Sequence, residues 1–333
     1  MNSDRRSFLK QFSGTAAALV AATAATDRMA TPGAGQDVVV GGARPPKRNY
    51  LTANCLLELE GQVCGWLFFA EGGGATGDVM ETRTAKDGLV KKQLGPLRYD
   101  DLILSCGAGL NAALYEWMKT FFTRQTIRKS GAVVYLDRAG REVCRLSFTN
   151  ALITEVGFPL FDGAWGEPAV MTLRLTPEST RRHRDNAGRG FSLDARTPPA
   201  WLASNFQLNI DGLADTTTRA VRVEPISARA PKPTTLEVTD LVLTYPAAFG
   251  QPLETWFEDF VGKSNNADAQ EKSAILQLLS TDQTAVLFTL TFEHLGIYRL
   301  EPVLLDTGNR VMPLIQARLY CENLSFDHYL AKV

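Results

Sequence analysis

The sequence predicts a mainly β fold of the α+β class, built as two tandem β-barrel or sandwich domains that each carry one flanking helix. Three observations carry that expectation. A set of short segments recurs in the same order in both halves of the chain. Most of those segments alternate apolar and polar residues, as half-buried strands do. One segment per half spaces Leu, Trp and Phe along a single helical face.

The first element is Asn54–Gly61, NCLLELEG, repeated as NFQLNIDG at Asn205–Gly212. Both alternate and stop at an acidic residue plus Gly, a strand entering a turn. A long loop follows. Then Leu97–Leu104, LRYDDLIL, matches Leu236–Leu243, LEVTDLVL, as a second strand. The helix comes next: Leu114, Trp117 and Phe121 in one copy, Leu253, Trp256 and Phe260 in the other.

After each helix the pattern predicts a hairpin. Ala132–Leu136 turns through Asp137–Gly140 into Val143–Phe148, and Ala274–Leu278 turns through Ser280–Gln283 into Val286–Phe292. Asp and Gly suit the first bend. The last strands are Met171–Leu175 and Ile315–Leu319. Phe148 to Phe292 and Arg174 to Arg318 keep one separation, so order and spacing are both preserved. Trp117, Phe121, Phe148, Trp256, Phe260 and Phe292 are the expected core aromatics of the two repeats.

These landmarks divide the 333 residues into a leader at 1–25, a spacer at 26–49, a first domain at 50–176, a linker at 177–199 and a second domain at 200–333. Arg5-Arg6, a polar residue, then Phe8, Leu9 and Lys10 closely resemble the twin-arginine export consensus. An Ala/Thr-rich apolar stretch follows, with Ala22-Thr23-Ala24 as a cleavage site. It is too short and too weakly apolar for a transmembrane helix, so no stable membrane anchor is expected. The resemblance implies a protein exported folded, to the periplasm or to an extracellular, envelope-associated place.

Composition argues against several function classes. Formal net charge is −1, so no overall basic field points to nucleic acid. The run Arg181–Arg184 lies among Pro, Ser, Asn and Gly and reads as solvated linker. Five cysteines show no CxxC or Cys/His metal spacing. Gly72–Gly77 spells GxGxxG, but no apolar helical face follows it, so a loop at the root of a longer arm is expected there and no dinucleotide site. Asp100 and Asp101 adjoin on a strand and point to opposite faces. His183, His294 and His328 are scattered. No catalytic residue, metal or cofactor is expected.

From about Asn54 to Leu175 the first copy resembles the tail-tube protein family of contractile phages and related injection systems. The resemblance rests on the ordered set just described together with an arm through Met80, Glu81 and Arg83, and Lys86, Asp87 and Gly88. It implies a small barrel with a flanking helix, six-fold rings stacked into a hollow tube, and an arm that reaches the neighbouring ring. Two fused domains imply three chains per pseudo-hexameric ring, with other tube, sheath or baseplate-like proteins as partners and no enzyme activity. A tube subunit and a tube-end cap both fit. The second copy's arm is shorter and holds Pro225, Pro231 and Pro233, so it is expected to pair less well with a neighbour. The reading from another class is an exported enzyme or carbohydrate-binding module on a duplicated β scaffold.

Overall fold

The computed structural model describes residues 54–83, 90–184, 189–192, 201–232, 234–306 and 311–329. All of them belong to one compact unit spanning Tyr50–Val333. The export motif, Arg5 to Lys10, and the arm-tip residues Lys86, Asp87 and Gly88 lie outside the described residues.

The first half opens with β1 (Asn54–Leu59) and β2 (Gln62–Gly72), then β3 (Ala75–Arg83), β4 (Val90–Tyr99) and β5 (Leu102–Cys106). Helix α1 (Ala112–Phe122) follows, then β6 (Lys129–Leu136), β7 (Glu142–Phe158), the short β8 (Phe161–Asp162), β9 (Met171–Thr176) and β10 (Ser179–His183). Strands pair in the order β1-β2-β5-β9-β7-β6 and back to β1, which closes a six-stranded barrel. Closure removes the unpaired edges that an open sheet would expose.

The second half runs β11 (Phe206–Ile210), a single-turn helix α2 (Ala214–Thr217), β12 (Arg222–Val223), β13 (Ile226–Lys232), β14 (Thr235–Val238) and β15 (Leu241–Pro246). It continues with α3 (Gln251–Phe257), which runs on as a π-helical turn over Glu258–Gly262, then β16 (Lys272–Leu279), β17 (Val286–Asp306) and β18 (Val311–His328). Its sheet order is β11-β16-β17-β18-β15-β12. That is the order β1-β6-β7-β9-β5-β2 of the first barrel. Here the ring stays open, because β12 takes β8 of the first half as its other neighbour.

Pairing registers agree in detail. Ile153 faces Leu175 and Ile297 faces Leu319, and in each case a bulge follows directly. Leu102 and Leu104 face Leu175 and Leu173, as Leu241 and Leu243 face Leu319 and Ala317. One alignment read from sequence shifts by a residue. Gly131 opposes Phe148 where Ala274 opposes Phe292, so Ala274 corresponds to Gly131 and not to Ala132. The strands begin alike, Lys129-Ser130 and Lys272-Ser273, and apolar residues on both faces of β6 hid the slip.

Other differences have local causes. The strand expected over Leu97–Leu104 is two strands, β4 and β5, because the chain returns from the arm to the barrel at Asp100-Asp101. The loop expected after the first strand holds β2, β3 and β4. β7 and β17 run well past Phe148 and Phe292, through Asn150 and His294, whose positive φ breaks the alternation. In the segment expected as linker, Arg181 to His183 form β10 against β7, and Arg189 and Phe191 lie against the first barrel.

A continuous apolar core spans both halves. Trp117, Phe121, Phe148, Trp256, Phe260 and Phe292 are all buried in it. Helix α1 starts at Asn111, whose side chain accepts from Leu114 N at 3.2 Å, a cap that stabilises a helix by about 1 kcal/mol. It then packs against the second half. Tyr115 meets Phe288 at 5.3 Å between ring centroids, and Phe122 stacks on Phe326 at 5.7 Å. β1 is buried on both faces, which explains why its alternation is imperfect. Leu57 and Leu59 face the main core, while Leu56 lies under Trp66 and Phe191 outside the barrel.

Candidate assembly interface

The arm is a two-stranded ribbon, β3 with β4, that forms a sheet of its own. Its root explains its geometry. Gly72 and Gly73 take positive φ of 86° and 64°, values that suit Gly because it lacks a Cβ. Gly73 N donates to Asp101 O at 3.1 Å and Asp100 N donates to Gly74 O at 2.9 Å, so the crossing is held by backbone bonds. The GxGxxG segment is therefore the pivot of the arm, and a strand follows it instead of a helix.

Along the ribbon, Glu81 opposes Lys92 and their side chains pair at 3.1 Å, while Arg98 reaches Asp78 at 2.9 Å. Exposed ion pairs of this kind contribute little stability. Between them the ribbon shows apolar side chains on both faces: Val79, Met80, Leu94 and Leu97 are exposed, Leu94 to 78%. A two-stranded ribbon is marginal alone, and clustered exposed apolar groups mark an interaction surface. Met80 and Glu81 sit on exposed β3, and Arg83 ends that strand in register with Val90.

The second arm is paired within the chain. β13 and β14 form the corresponding ribbon, and β13 pairs with the end of β7 over Ile226–Arg229, inside the same chain. Pro225 and Pro231 bracket that stretch, so they leave its ladder intact.

The chemistry-bearing groups have structural partners. Thr176 Oγ1 donates to Asp101 at 2.7 Å and Arg174 lies 3.6 Å from it, while Asp100 faces Thr76. His294 pairs with Glu271 at 2.9 Å and His328 with Glu116 at 3.0 Å. Burial pushes the Cys55 thiol up to about 11 and Cys106 to about 12, well away from thiolate reactivity at neutral pH. Among the described residues no group of three or more His, Cys, Asp or Glu could hold a metal ion, and no helix is long and apolar enough to cross a membrane.

Comparison with known proteins adds a partial similarity. No curated protein matches the chain. Among solved structures, the anti-feeding prophage tube-terminating cap is similar at 24% identity, over 45% of this chain and 97% of that one, with a TM-score of 0.35. The sheath-tube complex of an extracellular contractile injection system, PVC, is similar at 17% identity over 42% and 95%, TM-score 0.37. Hcp1 from Flavobacterium johnsoniae is similar at 18% identity over 42% and 98%, TM-score 0.25. The model of the T4-like virus tail tube protein gp19 family matches residues 71–181. From the end of β2 through the arm, α1 and the hairpin to β10, this chain carries the sequence pattern of the T4-like virus tail tube protein family.

Proposed function

We propose that the protein is a structural component of a phage-tail-like or contractile injection assembly, where it forms or caps a hollow ring or tube. The observation that carries this reading is the family match over residues 71–181, which contains the exposed arm. Chemistry in such a role is non-covalent: strand-edge pairing and burial of apolar surface between neighbours. A closed barrel and an open sheet that share one strand order in a single chain support a gene duplication and three chains per pseudo-six-fold ring. Export as a folded protein by the twin-arginine route, self-association, and contact with tube, sheath or baseplate-like partners complete the reading. It assigns no catalytic role.

The test is negative-stain electron microscopy of the full chain after gel filtration, beside a Leu94→Asp/Leu97→Asp variant. Rings or stacks with three-fold or pseudo-six-fold symmetry are expected, with stacking lost in the variant while its melting temperature holds. Monomers at every concentration would sink the ring.

A further inference from the structure

Within the chain, the first half presents two features to the second. Helix α1 lies on the end of β18, where Lys119 pairs with Asp327 at 2.5 Å and the Tyr115 ring lies 5.2 Å from His328. The edge of β7 receives β13, with Val156 opposite Ala228 and Glu155 opposite Arg229. Both features recur in the second half, where among the described residues the helix face is less deeply covered and no further strand pairs with the β17 edge.

The register matches fix the counterparts. Tyr115, Met118 and Phe122 of α1 correspond to Glu254, Phe257 and Val261. The first three are buried, whereas Glu254 and Phe257 are half-buried and Val261 is 41% exposed. Val156 and Phe158 on β7 correspond to Leu300 and Pro302 on β17. The former are buried, while Leu300 is half-buried and Pro302 exposed. β17 over Arg299–Val303 pairs only with β18 among the described residues.

The complementary surfaces lie on the first half. β9 and β10 together match β18, since Thr180 opposes Phe148 as Leu324 opposes Phe292. The equivalents of Asp327 and His328 are therefore His183 and Arg184. Ala75 of β3 matches Ala228: Ala75 opposes Tyr99 in the first arm as Ala228 opposes Val238 in the second. Gly74 O accepts from Asp100 N, as Ser227 O accepts from Thr239 N. Alternate residues of an antiparallel ladder face alternate neighbours, so Ala75 turns its backbone outward, as Ala228 turns to β7.

Charge follows the same plan with the sign reversed. Inside the chain, cationic Lys119 on α1 meets anionic Asp327. On the uncovered copy the helix carries Glu254, Glu258 and Asp259, and the strand carries Arg181, Arg182 and Arg184. Even the proline fits. Gly73 has its N–H bonded to Asp101 O and its carbonyl oxygen bonded to Thr180 Oγ1, and the position it would oppose is Pro302, which has no N–H to offer.

The geometry points to a second copy of this chain as the occupant. The α3 face and β17 edge of one copy seat β10 and the outer edge of β3 of the next, setting Glu254 against Arg184 and Ala75 against Leu300. The basic run Arg181–Arg184 is then a docking strand. Such a contact is head-to-tail and propagates until it closes. This inference rests on the ring reading above and supplies its joint.

The experiment is sedimentation velocity with the full chain as Arg184→Glu, as Glu254→Arg and as the double exchange. Each single change is expected to raise the concentration for half-assembly roughly tenfold or more, because like charges then face each other. The double exchange is expected to recover most of that loss. An Ala75→Cys/Leu300→Cys variant reads the same joint without charge and should form intermolecular disulfides on oxidation, which neither single cysteine gives. Rings that persist through all charge changes and give no crosslink overturn this joint and leave the ring reading standing. Wild-type chain that stays monomeric at every concentration overturns both.

Discussion

Asn150 and His294 occupy the same place in two long strands, and both turn into the left-handed backbone region, at φ 48° and 57°. Each follows a Phe, Phe148 or Phe292, that opposes the same position of the preceding strand. The turn is how a strand of 17 residues, β7, bends around its barrel. Asn tolerates this conformation and a β-branched residue does not. Asn150→Val is therefore expected to destabilise by about 1–2 kcal/mol, whereas Asn150→Gly stays close to wild type. Denaturant unfolding of the two variants separates backbone strain from loss of the Asn150–Glu178 hydrogen bond, since both changes remove that bond.

Gly72 marks where the arm leaves the barrel. A Cβ placed there would lie 1.9 Å from Asp101 O, at a φ of 86°. Gly72→Ala must move the backbone crossing between β2 and β5, on the order of 3 kcal/mol of strain and lost hydrogen bonding. Hydrogen exchange should show the loss concentrated at Gly73 and Asp100, whose N–H groups hold the pivot. Uniformly unchanged protection would contradict this account of the arm.

Outside the first barrel, Glu58 is 3% exposed and carries two guanidinium partners, Arg145 and Arg189, the latter at 2.9 Å. Arg145 also holds buried Glu142 at 2.8 Å. Removing one partner of a buried ion pair costs about 3–5 kcal/mol, because it strands the other charge. Arg145→Met is expected in that range, and Arg189→Met lower, since Arg189 is half exposed. Urea titration of both variants gives the order, and equal losses would count against the burial argument.

Much of the fold was legible in the sequence because similar segments in the two halves act as controls for each other. Leu102 with Leu241, Trp117 with Trp256 and Arg174 with Arg318 mark equivalent places before any pairing is known. The register of β6 was not legible, because Val133 and Val134 are both buried, so apolar identity does not say which face a residue takes. Nor could the sequence assign β13, since its prolines look hostile to pairing until their positions at the ends of the ladder are known. Arg181 to Arg184 read as linker because strand pairing to β7 is a tertiary fact, with only the alternation of a short polar strand to announce it. The signal for it lies in the second half, where Leu324 and Phe326 take the pairing positions that Thr180 and Arg182 take in the first, within one unbroken strand.

A pH response should localise to His294. Its Nδ1 lies 2.9 Å from Glu271 Oε2, and that hydrogen bond is the main reason its pKa is raised, with Glu322 and Glu293 adding to it. Tyr320 donates to the other Glu271 oxygen at 2.7 Å and fixes the carboxylate. A histidine whose folded pKa exceeds its unfolded value of about 6.5 stabilises the fold fully below that value. The contribution is lost as pH rises through the folded pKa. The melting temperature of the wild type should accordingly fall, relative to His294→Asn, between about pH 6 and pH 8, Asn keeping the left-handed backbone without the charge. Proton NMR gives the direct check: the His294 ring should titrate above an unperturbed histidine in the wild type, and Glu271→Gln should bring it back down. A His294 midpoint that ignores Glu271→Gln would place the cause of the shift elsewhere.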